Sequence, residues 1–86
     1  MQVTVRLFAK ARDVAGTNKF KLDFDESDNS LQAAVALLLK KFPALADVLP
    51  TCSLALNQEF VVEAKLASTT LKDGDVLAVL PPVSGG

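Results

Sequence analysis

Eighty-six residues, half of them apolar and 22% charged, suit one small globular domain and leave no room for a second. Nine basic residues stand against ten acidic ones, scattered from Arg6 to Lys72, which argues against nucleic acid as a partner. With no histidine and one cysteine, Cys52, the chain has no internal disulfide, no Ser–His or Cys–His nucleophile pair, and no histidine or cysteine-rich metal site.

The longest apolar stretch, Leu31 to Leu39 interrupted by Gln32, falls far short of the roughly 20 residues that cross a bilayer. The chain opens on a strand pattern with no signal-peptide regions, so a soluble cytosolic protein without a membrane partner is expected. Residues 3–8, VTVRLF, alternate Val3, Val5 and Leu7 against Thr4, Arg6 and Phe8, the period of a strand with one face in a core. Phe8 falls on the face away from that core. Residues 10–15, KARDVA, have the length of one or two helical turns, closed by Gly16 in a left-handed conformation. Lys19 to Phe24 alternate again, Phe20, Leu22 and Phe24 inward and Lys19, Lys21 and Asp23 outward, so the two strands form a hairpin.

The polar run from Asp25 ends at Ser30, the best candidate for a helix N-cap. Leu31, Ala34, Val35, Leu38, Leu39 and Phe42 then recur on one helical stripe. Lys40 and Lys41 complement the negative end of the helix dipole, and Pro43 stops the helix. Leu37, off the stripe, is expected against a loop, and residues 44–50 read as a short irregular turn. Ser53 to Asn57 return to strand with Leu54 and Leu56 on one face; Asn57-Gln58 is a turn, and Phe60 to Val62 a short edge strand. The sequence Lys72-Asp73-Gly74-Asp75 is a strong turn signal, which makes its two carboxylates turn residues first. Val76 to Leu80 is an apolar strand halted by Pro81-Pro82.

These elements fit an α+β domain over residues 1–80: a mixed sheet of four to five strands with one main helix on one face, as in the ubiquitin-like β-grasp fold. A right-handed crossover sets the last strand beside the first, in mid-sheet. Residues 81–86, PPVSGG, form a tail that two prolines stiffen at its root and two glycines leave bare at its end. Two consecutive glycines at one given place arise by chance in roughly 0.5% of chains. A side chain there would crowd a narrow channel, and a terminal carboxylate, ionised at neutral pH, is able to attack the α-phosphate of ATP. The segments VRLFAKARDVAG, ALNQEFV and LKDGDVLAVLPPVSGG resemble the small subunits of molybdopterin synthase over nearly the full length. The PPV-x-GG ending after a DGD turn is the most specific of these likenesses.

That resemblance implies a sulfur carrier rather than an enzyme. An E1-like enzyme would use ATP to adenylate Gly86, a persulfide sulfur would turn the adenylate into a thiocarboxylate, and a large catalytic subunit would receive the tail Pro81, Pro82, Val83, Ser84, Gly85 and Gly86. Two transfers would build the dithiolene of molybdopterin from cyclic pyranopterin monophosphate, with no cofactor held by this chain and two central large subunits in a heterotetramer. The resemblance also implies that Phe8, Phe60 and Leu80 pack on partners and that Arg12 contacts one of them, in a sequence that carries Val79-Leu80 where some members carry two aromatics. By strand period alone, Val76, Ala78 and Leu80 share a face with Phe8, an exposed patch of the kind that marks an interface, or else scattered surface apolars. Cys52 reads as a small buried hydrophobe rather than a sulfur relay. A protein modifier or tRNA-thiolation carrier shares the Gly-Gly and its activation; a thiazole-forming carrier is smaller and lacks this tail. A plain β-grasp interaction domain would tolerate an extra residue after Gly86.

Overall fold

The computed structural model describes residues 1–82. Strand β1 (Gln2–Leu7) leads into helix α1 (Ala9–Ala15), strand β2 (Lys19–Asp23) and the main helix α2 (Leu31–Lys41), and strands β3 (Ser53–Leu56), β4 (Glu59–Val61) and β5 (Val76–Leu80) follow. The strands form one sheet in the order β2-β1-β5-β3-β4. β1 and β5 run parallel at its centre, and every other neighbouring pair is antiparallel. The expected hairpin, crossover and central last strand are all present. The β-grasp reading therefore stands.

Alternation decides which side chains enter the core. Val3, Val5 and Leu7 of β1 and Leu77 and Val79 of β5 are at most 1% exposed and meet Leu31, Ala34 and Leu38 of α2. Such burial stabilises by roughly 1.5–3 kcal/mol per large aliphatic side chain, so these positions dominate the fold. Ser30 caps α2, its Oγ accepting the Ala33 amide at 3.1 Å, and the helix ends at Lys41 ahead of Pro43. Past that end, Phe20 and Phe42 meet edge to face with centroids 5.2 Å apart, and the Lys41 ammonium lies 5.7 and 5.9 Å from their rings. Lys41 is thus more than a dipole complement. Gly16 closes α1 at φ +76°, its amide donating to the Arg12 carbonyl at 2.9 Å.

Three local expectations are corrected. β1 stops at Leu7, and Phe8 is the extended residue before α1, because Ala9 turns the chain with φ +52°. The segment expected as an irregular turn is two consecutive 3-10 elements, Pro43–Asp47 and Leu49–Thr51. Leu45 and Val48 insert from it into the core. The helical layer also holds α1, whose Ala11 is buried and which packs on Pro43–Asp47. Leu37 packs against the core, partly buried.

Candidate docking face and the root of the tail

The helical layer covers one face of the sheet. On the opposite face, β5 presents Val76, Ala78 and Leu80 while Leu77 and Val79 are wholly buried. The register sets Ala55 of β3 between Ala78 and Phe60, which brings Phe60 of β4 onto the same face. Phe8 reaches it from the end of β1, its amide donating to the Val79 carbonyl at 3.2 Å. Phe8, Phe60, Val76, Ala78 and Leu80 line one shallow depression of about 660 Å³, with Thr4, Arg6 and Lys19 along its β1–β2 side. Phe60 is 65% exposed, an apolar surface the domain itself leaves open to solvent.

A clamp fixes how Phe60 is presented. Asn57 and Gln58 both take positive φ, +50° and +73°, the two-residue turn whose twist suits a tight hairpin. The Asn57 side chain donates to Asp75 Oδ1 at 3.0 Å and accepts the Val76 amide at 2.9 Å, while its own amide donates to the Val76 carbonyl at 2.8 Å. Asp75 Oδ2 in turn accepts the Lys72 amide at 2.8 Å, and Asp73 Oδ1 accepts the Gln2 amide at 2.7 Å. The ALNQEFV and DGD segments, distant in sequence, are therefore one hydrogen-bonded unit. Asp73 and Asp75 are turn residues, as expected.

β5 is held on both sides, by β1 over Thr4 to Leu7 and by β3 over Ser53 to Leu56, up to its last residue, Leu80. Pro81 and Pro82 follow directly and are exposed, so the tail has a rigid root beside Phe8 and Leu80. Val83, Ser84, Gly85 and Gly86 lie outside the described residues. Arg12 stands apart from the other expected contact residues: it is on α1, beside Gly16, Thr17 and Asn18, with its Nε 3.4 Å from Asp13 Oδ1. Cys52 is half-buried, packs against the core and donates through Sγ to the Val48 carbonyl at 3.3 Å. Among the described residues no group of three or more His, Cys, Asp and Glu side chains is arranged to hold a metal ion. No helix among the described residues is long and apolar enough to cross a membrane.

Sequence reasoning found Phe8 and the outward side of β5 by period, and Phe60 through the family resemblance. It passed over Arg6 and Lys19 as rim residues, although the same alternation sets both on the outward face, and it did not see the Asn57–Asp75 clamp. A second groove of about 520 Å³ lies on the helix side, between α2 and β4, with Leu39, Leu49, Cys52, Leu54, Val62 and Leu66 among its walls.

The chain is a β-grasp domain that anchors its last strand in mid-sheet, next to an uncovered apolar face. The chain belongs to the ThiS family, whose model matches residues 5–86. It is 41% identical over 86 residues to the molybdopterin synthase sulfur carrier subunit of Chlamydomonas reinhardtii, covering 100% of both chains. The human protein of that name is 34% identical over 85 residues, with 99% of this chain and 94% of that one covered. Among solved structures, a complex of subunits 1 and 2 of molybdopterin-converting factor from Helicobacter pylori contains a chain 34% identical to this one, TM-score 0.71, with both fully covered. The small archaeal modifier protein SAMP1 of Haloferax volcanii superposes with TM-score 0.83 at 29% identity, again over both whole chains.

Proposed function

We propose that this chain is the sulfur carrier subunit of a molybdopterin synthase, and that the carboxylate of Gly86 is its working group. One observation carries the reading: the central strand β5 runs directly into an exposed Pro81-Pro82 root beside an uncovered apolar face, in a chain whose family match continues to Gly86. The full-length likeness to sulfur carrier subunits supports it.

In the first step an E1-like enzyme adenylates the Gly86 carboxylate, which displaces pyrophosphate from ATP. The terminal sulfur of an enzyme persulfide then displaces AMP to give an acyl disulfide, and a second thiol of that enzyme cleaves its S–S bond, forming an enzyme disulfide and releasing the thiocarboxylate. The large subunit takes the tail Pro81 to Gly86 into its site, where the thiocarboxylate sulfur forms a C–S bond to a side-chain carbon of cyclic pyranopterin monophosphate as an oxygen leaves that carbon, either as water or as the phosphate oxygen when the cyclic phosphate opens. Water cleaves the resulting thioester, so sulfur stays on the pterin and oxygen returns to Gly86. Two such transfers complete the dithiolene. This chain supplies sulfur and orientation, while the acid–base groups belong to the large subunit; no cofactor of its own enters the cycle, and ATP is used by the activating enzyme. Phe8, Phe60 and Leu80 seat the domain on its partners, Arg12 makes a separate contact from α1, and the assembly is a cytosolic heterotetramer around two large subunits.

The test is reconstitution. Thiocarboxylated chain, the large subunit and cyclic pyranopterin monophosphate should yield molybdopterin with a stoichiometry of about two carriers consumed per product, and chain ending at Gly85 should yield none. Product formed equally well from the truncated chain would overturn the proposal. A second reading rests on the 32% identity over 92 residues to small archaeal modifier protein 3 of Haloferax volcanii: the same activated Gly86 attached to protein amines. Isopeptide-linked Gly86 on cellular lysines would favour it.

A further inference from the structure

Arg6 and Lys19 occupy directly opposed positions on the antiparallel pair β1–β2, and both line the uncovered depression. Like charges directly opposite one another on a sheet destabilise it, and among the described residues neither cation is within ion-pair distance of a carboxylate. The Arg6 guanidinium instead lies 5.2 Å from the Phe8 ring centroid, which holds its charge against the apolar part of the face. The Lys19 backbone is held at the start of β2, its carbonyl accepting the Thr17 hydroxyl at 3.2 Å. The face is therefore divided. Phe8, Phe60, Val76, Ala78 and Leu80 form the apolar half, and the side toward β2 carries two exposed cations at opposed positions, with no carboxylate among the described residues to pair them.

We propose that the large subunit presents a carboxylate, or a short acidic segment, that seats between Arg6 and Lys19 when its apolar surface covers Phe8 and Phe60. This rests on the carrier reading above and adds the charge of the partner's surface and where it lies. The cations do two jobs in that arrangement. They steer the approach over about a Debye length, and they fix the rotational register of a face whose apolar half alone is non-directional. That register matters because the tail leaves at Leu80, within the same depression, and must point into the partner's channel. Two cations are too few for a nucleic-acid surface, and an apolar half beside them suits a protein.

The experiment measures association of the full chain with its large subunit by stopped flow between about 50 and about 300 mM NaCl, for wild type, Arg6→Gln, Lys19→Gln and the double variant, with a thermal melt of each free chain. We expect each single variant to associate roughly threefold more slowly at low salt, and the double variant to lose most of the salt dependence. The free variants should melt unchanged or roughly a degree or two higher, since a like-charge pair has been removed. Slower binding with no loss of stability is what a purely structural role cannot produce. Wild-type association that is insensitive to salt, or variants that bind at the wild-type rate, would overturn the acidic contact and leave the carrier reading standing. No binding of the wild-type chain to the large subunit overturns both.

Discussion

Phe60 spends 65% of its surface in water on a domain that buries Phe24 and packs Phe20 and Phe42 against its core. An aromatic ring offers 150–250 Å² of area on burial, and its exposed position costs the fold little to give up. Phe60→Ala should therefore leave stability within about 0.5 kcal/mol while weakening large-subunit affinity by about 2 kcal/mol, roughly thirtyfold. Paired denaturation and titration calorimetry check this. An equal loss in both measurements would mean that Phe60 is core-like, against its exposure. Phe8 differs, because its amide bond to Val79 and its place before α1 make it part of the architecture as well as the face. The outward positions Phe8 and Leu80 were legible because a period of two is unforgiving: once Val5, Leu7, Leu77 and Val79 go inward, their neighbours go outward; Phe60 was implied by the family resemblance. Arg6 and Lys19 obey the same rule. What strand period cannot carry is pairing register, and without register their direct opposition is invisible in the sequence.

At the scale of elements, the β3–β4 hairpin and the turn before β5 work as a unit through Asn57 and Asp75. Gln58 is the weak point of that unit: its φ of +73° costs a side-chain-bearing residue conformational energy that glycine does not incur. Gln58→Gly should stabilise the domain by about 0.5–1 kcal/mol, read as a rise in the urea midpoint with unchanged slope; a fall would mean that the Gln58 side chain makes a contact worth more than the strain. The helix α2 and strands β1 and β2 were readable because each repeats one period for at least five residues, and β5 because five apolar residues run unbroken up to Pro81-Pro82. The stretch from Pro43 to Thr51 was not, since 3-10 turns repeat no pattern long enough to see, and Leu45 and Val48 enter the core only because the chain doubles back under α2. The same limit hid the capping role of Phe8, where Ala9 turns left-handed without the glycine that would have announced it.

For the whole molecule, the decisive feature is where the last strand lies. A terminal strand on a sheet edge frays. β5 is paired on both sides and has Leu77 and Val79 wholly buried, so the root at Pro81 stays fixed. Right-handed crossover made that central placement readable from the element order alone, and the composition of the tail made its chemistry readable, but neither says which acceptor is served. The acceptor comes from relatives and from the partner, whose acidic complement to Arg6 and Lys19 is written only in the folded face. The central claim is that Gly86 carries the sulfur. Its most direct test is the intact mass of the chain after incubation with ATP, an E1-like activating enzyme and a sulfur source, beside a chain lacking Gly86. Replacing one carboxylate oxygen by sulfur adds about 16 Da, and the account predicts that gain in the full chain alone. No gain with an enzyme shown to be active on another carrier, or an equal gain in the truncated chain, would contradict it.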